Sequence, residues 1–407
     1  MRRAGFCGMT ATTSDARAVR ATILILAIAG FASTFAGRIA DPLVNVIARD
    51  LGASVQAIAL LATAFALPYA LIQPVLGPFG DSLGKLRVMR FCLAVLIVAL
   101  IASAFMPDAR SLFVMRVVTG MAAGGIIPLA LAVIGDRVGM ETRQVAISRF
   151  LVAVILGQMA GSSLAGLLAE HLGWRGVFHL AAAITAIAFI AMTVALKPSN
   201  LVRPPFSFAV AMARYRGLVA KPRARALFAL VFVEGICIMG VLPFIAPILV
   251  AREAGGAAEA GIALAGFAIG GLIYSAVVGL LLRRLGMYRM LVTGGFCSAM
   301  ALIAIAFLGD WRLIAGALLM LGLGFYLLHN SFQTQVTELS ADARGSAVAL
   351  HACSFFLGNA TGPVVVSLGT RLVGTPATLV TLACVIFGLG LFAAWVLART
   401  APQPAAA

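Results

Sequence analysis

Charged side chains are scarce in this sequence of 407 residues: they make up 11% of it, whereas 62% of the residues are hydrophobic. Acidic residues are the scarcest, with 14 against 30 basic ones. A soluble fold of this length cannot bury so much apolar surface, because the interior of a compact domain grows too slowly with its mass. The shortage of charge therefore excludes a soluble globular protein and indicates a membrane protein.

Several function classes lack the residues that they need. The basic residues sit in short breaks between apolar runs and form no basic stripe interleaved with aromatic residues, which argues against nucleic-acid binding. The 6 cysteines are scattered, without a C-x-x-C pair or a histidine at ligand spacing, so no metal site and no disulfide are predicted. No Gly-x4-Gly-Lys-Ser/Thr loop occurs, so ATP is not the energy source. We predict no cofactor and no enzymatic activity.

Long apolar runs are what the sequence does contain. A bilayer core of about 30 Å takes roughly 20 helical residues to cross. Twelve such runs, numbered here as spans one to twelve, lie near 21–46, 56–80, 87–106, 111–135, 145–169, 176–196, 226–250, 261–282, 289–308, 313–337, 346–370 and 377–398. They predict an all-α membrane protein with six-helix bundles at 21–196 and 226–398, tails at 1–20 and 399–407, and a basic linker at 197–225.

The distribution of basic residues predicts the orientation of these spans. If the N-terminus is cytoplasmic, the inner segments hold 22 of the 30 basic residues, the outer loops hold six, and two lie inside spans. Cytoplasmic loops carry an excess of lysine and arginine. Both termini are therefore predicted to be cytoplasmic, with the chain embedded in the inner membrane of the cell and the lipid bilayer as its surroundings.

Three motifs occur twice, in the same order and 201 or 202 residues apart. They are Gly77-x3-Asp81-x2-Gly84-Lys85 with Gly279-x3-Arg283-Arg284-x-Gly286, Glu141-x-Arg143-x2-Ala146 with Asp342-x-Arg344-x2-Ala347, and Gly157-x3-Gly161 with Gly358-x3-Gly362-Pro363. Six spans separate each motif from its copy, and an even number restores the orientation. The two halves are therefore predicted to be related by an axis along the membrane normal, as in secondary transporters with a substrate path between their halves.

The loop after span two resembles the most diagnostic motif of the major facilitator superfamily. Its matching residues are Gly77, Asp81, Gly84 and Lys85, with the basic Arg87 following and Ser82 in place of a basic residue. A glycine at position 84 permits a turn that other residues resist, and a carboxylate at position 81 can cap the positive N-terminal end of a helix. By the resemblance that helix is span eleven, and the contact favours the outward-facing state.

Two further motifs resemble the proton-coupled efflux branch of that superfamily. Arg116-x3-Gly120-x3-Gly124 on span four is similar to its arginine-glycine motif, which is associated with proton coupling. Gly157-x3-Gly161 on span five is similar to its antiporter motif, although Ser162 stands where proline usually follows. The residues that the resemblance assigns to a conformational gate are Gly77, Asp81, Gly84, Lys85, Arg87, Gly157, Gly161, Gly358, Gly362 and Pro363. It implies a monomer that exports a small organic molecule in exchange for protons by alternating access.

Ionisable residues inside apolar spans cost roughly 2.5–3.5 kcal/mol each on insertion scales, so each is a functional candidate. Arg38, Asp41 and Asn45 have the spacing i, i+3, i+7, which predicts one helical face. We predict that Asp41 binds and releases the coupling proton, with Arg38 or Arg116 favouring its charged form in one conformation only. The alternative is a static Arg38–Asp41 pair. Glu234 on span seven is predicted to carry a proton or meet a cationic substrate, the alternative being a structural hydrogen bond.

Polar residues also form stripes on otherwise apolar spans. The candidates for substrate binding are Tyr69 and Gln73 on span two, Tyr326, His329, Asn330 and Gln333 on span ten, and Asn359 on span eleven, where His351 shares the same face. Such stripes also serve as hydrogen-bonding contacts between helices. Two other functions stay open: uptake of a sugar, amino acid or organic acid by a symporter or facilitator, and a receptor or assembly factor that has lost transport.

Overall fold

The computed structural model describes residues 13–138, 140–196, 208–339 and 344–399, which form helices joined by short turns and contain no strand. Ten helices in these ranges are long and apolar enough to cross a membrane, and two of them, Arg149–Ala195 and Ala257–Phe307, have about twice the necessary length. Each of these two breaks at a glycine with left-handed backbone, Gly173 (φ 62°) and Gly286 (φ 68°). Each therefore supplies two spans, in agreement with the twelve predicted.

The first half contains spans one to six. Span one is Thr13–Arg38, followed by the short helix Val44–Asp50. Span two consists of Val55–Ala59 and Leu61–Phe79, span three is Lys85–Ala104, and span four consists of Ala109–Gly124 and Ile126–Arg137. Spans five and six form the helix Met140–Ala195. Span one ends at Arg38, earlier than the predicted residue 46, and Asp41 lies in the following turn. The prediction of one helical face through Asn45 is therefore wrong. The reason is Pro42, which disfavours helical backbone at the residue before it.

The second half contains spans seven to twelve. Span seven consists of Pro222–Glu234, a π-helical turn Gly235–Met239, Leu242–Phe244 and Ile245–Ala251. Spans eight and nine form the helix Ala257–Phe307, and spans ten, eleven and twelve are Trp311–Thr337, Arg344–Leu372 and Thr375–Arg399. Span seven begins before the predicted residue 226 because proline suits the first turn of a helix. A short helix, Phe208–Val219, precedes it within the predicted linker, whereas residues 197–207 and most of both predicted tails lie outside the described residues.

The repeat seen in the sequence is also a repeat of backbone conformation. Gly84 and Gly286, 202 residues apart, both have positive φ angles, 103° and 68°. Only glycine adopts these angles at little cost, so each copy of the motif requires glycine at this turn. The predicted turn-forming role of Gly84 is confirmed.

Helix packing repeats in the same register. A Cβ atom placed at Gly120 would lie 2.1 Å from the carbonyl oxygen of Phe65, and one at Gly322 would lie 1.9 Å from that of Phe267. Spans four and ten thus approach spans two and eight through glycines that stand 202 residues apart. The two halves are built alike down to single contacts.

The Gly-x3-Gly pairs pack within each half. A Cβ at Gly157 would lie 2.4 Å from the carbonyl oxygen of Phe31 on span one, and one at Gly358 would lie 2.1 Å from that of Phe232 on span seven. Gly161 and Gly362, one turn further on, meet the same two spans. These glycines therefore join spans five and one, and spans eleven and seven, inside a bundle rather than across the two halves.

Replacing Gly120 by alanine is expected to destabilise the protein by about 1–3 kcal/mol, the usual cost of forcing an atom into a filled core. The added methyl group meets the backbone of span two, which cannot move aside as a flexible side chain can. Thermal unfolding of the purified protein measures the loss. Gly279→Ala is the matched control, since nothing lies within 4 Å of its added Cβ; equal melting temperatures for the two variants would contradict the prediction.

We call the face of the bundle that carries Arg87 and Arg289 the inner face and the opposite one the outer face. The halves meet at the outer face. A Cβ at Gly166 on span five would lie 2.3 Å from the carbonyl oxygen of Ala257 and 2.9 Å from Cα of Gly261, both on span eight. The cavity beside this contact has a volume of about 10 Å³, room for one water molecule. The outer face is closed here.

A charged network lies at the outer end of the first half. Trp174 donates a hydrogen bond from its indole nitrogen to Asp50 over 2.9 Å, and Arg175 pairs with the same carboxylate. These two hydrogen bonds lower the pKa of Asp50 from its ordinary value, and the one from Trp174 has the larger effect. Because its pKa is lowered in the folded state, the carboxylate stabilises the fold at pH values above its ordinary pKa. This stabilisation is lost as the pH falls through the lowered pKa.

The Asp50→Asn variant is therefore expected to melt at a lower temperature than the unmodified protein at pH 7. The difference is expected to shrink as the pH falls below the ordinary aspartate pKa of about 3.9, because the native carboxyl group is then protonated too. Thermal unfolding at a series of pH values measures this. A difference in melting temperature that is constant with pH would contradict the assignment.

Candidate functional site

Arg38 is a charged side chain that contacts both halves. Its Nη1 donates to Oδ2 of Asp41 over 3.2 Å, and its Nη2 lies 3.0 Å from Sδ of Met239 on span seven. Asp41 is 2% exposed, so the pair sits away from bulk solvent. The predicted proximity of Arg38 and Asp41 is confirmed, while the contact with the second half was not predicted.

The partner of Arg38 is its own counterpart in the repeat. Met239 stands 201 residues after Arg38, the same separation as between Gly157 and Gly358, which occupy matching contacts. In an assembly with twofold symmetry, a residue touches its own mate only close to the axis. Arg38 therefore lies near the axis that relates the halves, at the centre of the interface between them.

Arg116 holds the end of span one in place. It is fully buried, donates from Nη1 to the carbonyl oxygen of Ala36 over 3.0 Å and from Nη2 to that of Gly37 over 3.1 Å, and lies over the ring of Phe65 at 4.6 Å. A cation at the last carbonyls of a helix satisfies them and complements the helix dipole. Because these carbonyls directly precede Arg38, Arg116 positions the turn that carries Asp41.

Glu234 meets a histidine of span ten. Its Oε2 lies 2.9 Å from Nδ1 of His329, and the ring of His351 on span eleven lies 5.1 Å from that of His329. Glu234 is fully buried and His351 is 1% exposed. The structure therefore joins a residue predicted to carry a proton to one predicted to bind substrate.

The candidate substrate-binding residues are connected by aromatic rings. Tyr69 of the first half lies 4.2 Å from Phe356 of the second, ring centre to ring centre; Phe356 lies 5.2 Å from Phe355, and Phe355 lies 4.6 Å from His329. Tyr326 continues this aromatic wall through Phe325. Sequence reasoning missed both Phe355 and Phe356, because phenylalanine in an apolar span gives no signal.

The remaining polar candidates are less directly connected. Asn330 lies near the hydroxyl group of Tyr274 on span eight, and Gln333 is partly exposed one turn towards the inner face. Gln73 and Asn359 are buried, 5% and 7% exposed, on the two spans that contribute Tyr69 and Phe356. Their assignment to substrate binding stays a prediction.

The loop after span two packs against span four. Lys85 pairs with Asp136 at the inner end of span four, Nζ to Oδ2 over 2.7 Å, while Arg87 is exposed. Asp136 was not predicted. The contacts of Gly77, the side chain of Asp81 and the residues just before span eleven lie outside those described, so the capping of span eleven by Asp81 stays a prediction. No group of side chains able to hold a metal ion occurs among the described residues.

Two similar helical bundles, with ionisable groups buried at the interface between them, define a secondary-transporter fold. A model of the Major Facilitator Superfamily matches residues 26–341 and 227–407. The chain belongs to this superfamily and is a multi-pass membrane protein.

Solved structures share the fold across almost the whole chain. The crystal structure of the nucleoside transporter NupG has a TM-score of 0.73 at 15% identity and covers 93% of this chain and 99% of its own. That of a bacterial homolog to the human lysosomal transporter Spinster has a TM-score of 0.75 at 16% identity and covers 97% and 100%. At these identities the likeness shows the fold alone.

Sequence relatives match shorter stretches. The MFS-type transporter clz19 of Cochliobolus lunatus is 26% identical over 179 residues, 43% of this chain and 34% of the relative. The uncharacterized MFS-type transporter YybF of Bacillus subtilis is 25% identical over 164 residues, which are 40% of this chain and 41% of the relative. The efflux pump FUB11 of Gibberella moniliformis is 29% identical over 174 residues, 43% and 29%. The chain thus spans less than half the length of these relatives.

Proposed function

We propose that this chain exports a small organic molecule across the inner membrane in exchange for protons, as a monomer with both termini in the cytoplasm. The observation that carries the proposal is the position of Arg38, which joins Asp41 of its own half to Met239 of the other near the symmetry axis. A proton-binding group that is linked to the contact between two halves can bias their relative position through its protonation state.

The coupling works through the ion pair. An ionised Asp41 holds Arg38 in place, with Arg116 fixing the turn behind it. When Asp41 takes up a proton from the outer side, it no longer attracts the guanidinium as a charge, and Arg38 is free to change partners. Proton uptake and release at Asp41 thereby alter the contact at the centre of the transporter in each cycle.

The energy available is sufficient for export. A proton moving down a potential of about 150 mV supplies roughly 3.5 kcal/mol, which supports a substrate gradient of about two to three decades. The aromatic wall from Tyr69 to Tyr326 favours a substrate with an apolar ring or chain. The similarity to the efflux pump FUB11 supports the outward direction.

A second candidate is proton-driven uptake of a sugar, amino acid or organic acid. Ser162, where the antiporter motif usually has proline, favours it. Such a symporter moves substrate and proton in the same direction, so the direction of proton flow separates the two functions.

The test starts from a thermal-shift screen of the purified protein over drugs, sugars, amino acids and organic acids. The compound that stabilises it most is then added to energised inside-out vesicles, whose interior is acidic. An exporter that exchanges substrate for protons is expected to dissipate the pH gradient on this addition, seen as recovery of a pH-sensitive dye. Dissipation in right-side-out vesicles under an imposed gradient, and none in inside-out vesicles, would establish uptake instead.

A further inference from the structure

Glu234 lies within a membrane span and has one ionisable neighbour within hydrogen-bonding distance among the described residues. It lies on span seven, is fully buried, and meets His329 of span ten through Oε2. Its Oε1 has no partner among the described residues, and no lysine or arginine pairs with it there. Burying a carboxylate without a partner is costly, so the contact with His329 is what offsets the cost of burying Glu234.

His329 lies between apolar walls and a second imidazole. The ring of Phe325 stacks on it at 4.9 Å, that of Phe355 lies at 4.6 Å, and that of His351 at 5.1 Å. Both ring nitrogens of His351 lack a partner among the described residues, although the side chain is only 1% exposed. A partly buried imidazole, a buried one and a buried carboxyl group thus stand together on spans ten, eleven and seven.

The other groups that face this cluster leave its charge uncompensated. Cys237 lies near Glu234 on span seven, and Tyr326 lies one turn from His329 on span ten. Among the described residues, Arg38 of span one acts electrostatically on Tyr326, whereas no permanent charge acts on Glu234. With one proton between Glu234 and His329 the cluster is neutral; without it, the cluster carries a buried negative charge, and with two it carries a positive one.

The first half shows that the fold does not require these groups. The positions that stand 201 or 202 residues earlier are Ser33, Ile127 and Phe150. None of these side chains titrates in the physiological range, yet the helices pack in the same register, as at Phe31 and Phe232. The Glu–His–His arrangement is therefore an addition to one half and not a condition of its packing.

The three residues of the cluster lie at decreasing distances from the inner face. At about 1.5 Å per residue, Glu234 lies about 18 Å from the start of span seven, His329 about 12 Å from the end of span ten, and His351 about 10 Å from the start of span eleven. Asp41, by contrast, follows the outer end of span one. The molecule thus carries one group of ionisable residues towards each face.

We propose that Glu234, His329 and His351 form a second proton-binding site, which exchanges one proton with the inner face as the transporter changes conformation. In the elementary step the N–H bond at Nδ1 of His329 breaks and an O–H bond forms at Oε2 of Glu234, or the reverse. After rotation of an imidazole, an N–H bond of His329 breaks and an N–H bond forms at a free ring nitrogen of His351, or the reverse. This inference rests on the proposed proton coupling, to which it adds a site in the second half.

Nitrogen NMR of the purified, full-length protein labelled with ¹⁵N-histidine tests the site, with the proton as its only ligand. The chain has 4 histidines, so each resonance can be assigned by substitution. We expect the His329 signals to change with pH and the midpoint to move by at least about one unit in Glu234→Gln. His351→Gln is expected to move it as well, and His179→Gln, on span six against Phe105, is the control that leaves it unchanged.

A static hydrogen bond would also shift the His329 midpoint in Glu234→Gln. The deciding test is therefore whether this midpoint depends on the conformation of the transporter. In Gly166→Trp, where the added ring cannot fit against span eight, the midpoint of His329 is expected to differ from that of the unmodified protein. An unchanged midpoint, or a His329 signal that stays constant with pH, would overturn the proposal. The titration uses no substrate and no gradient, so its failure leaves coupling through Asp41 standing, and a failure of that coupling leaves the titration standing.

Discussion

The Asp41→Asn variant is expected to lose proton-driven transport, with an initial rate of gradient dissipation at least about tenfold below that of the unmodified protein. An asparagine cannot release a proton and carries no charge, so Arg38 no longer alternates between a paired and an unpaired state. A tenfold loss corresponds to about 1.4 kcal/mol, less than the roughly 2.5–3.5 kcal/mol that an ionisable residue costs inside a membrane span. Substrate-induced dye recovery in energised inside-out vesicles measures it.

The control for this substitution is Asp108→Asn. Asp108 caps the start of span four by accepting hydrogen bonds from the backbone nitrogens of Arg110 and Ser111, which asparagine also does. Its variant is expected to transport at the normal rate. If Asp41→Asn transports equally well with the same dependence on pH, Asp41 is not the coupling residue and the Arg38–Asp41 pair is static.

The Gly166→Trp variant is expected to stop the transport cycle while leaving substrate binding in place. Closure of the outer face brings span five so close to span eight that even a methyl group at this position would lie 2.3 Å from the carbonyl oxygen of Ala257. An indole ring keeps the outer face open, so the conformation described here becomes inaccessible. Transport is expected to fall at least about tenfold, the effect of some 1.4 kcal/mol against closure.

Cysteine labelling shows whether the outer face has opened. Gln158 lines the small cavity beside Arg38, so a Gln158→Cys side chain is expected to resist a membrane-impermeant reagent in the otherwise unmodified protein and to react in combination with Gly166→Trp. Gly316→Trp is the control, because nothing lies within 4 Å of a Cβ at this exposed position on span ten. Equal labelling in both backgrounds would show that the Gly166 contact does not close the outer face.

Features that depend on nearby residues were predictable from the sequence. The spans follow from the length of each apolar run, and the repeat follows from glycines at fixed spacing, such as Gly84 and Gly286, whose positive φ angles require glycine. The Arg38–Asp41 pair was predictable because its members stand only three positions apart. The error at Asn45 was local too: Pro42 ends span one, although the surrounding residues are apolar enough to continue it.

Features that depend on how spans face each other were not predictable. Glu234 and His329 were both singled out as polar residues in apolar spans, yet nothing in their spacing brings spans seven and ten together. Phe355 and Phe356 gave no signal, since phenylalanine suits lipid and protein surroundings alike. Gly261 was missed for a similar reason: a small residue near the end of a span is common, and only the approach of span five makes it matter.

By itself, the amino-acid sequence determined a membrane-embedded chain of twelve spans in two related halves, because hydropathy, helix length and glycine spacing act over a few residues at a time. Only the tertiary structure decided that Arg38 meets its counterpart Met239, that Glu234 meets His329, and that the outer face closes on Gly166. The physical reason is that rigid helices of similar composition can pack in many rotations and tilts, and the one adopted depends on contacts between residues far apart in the chain.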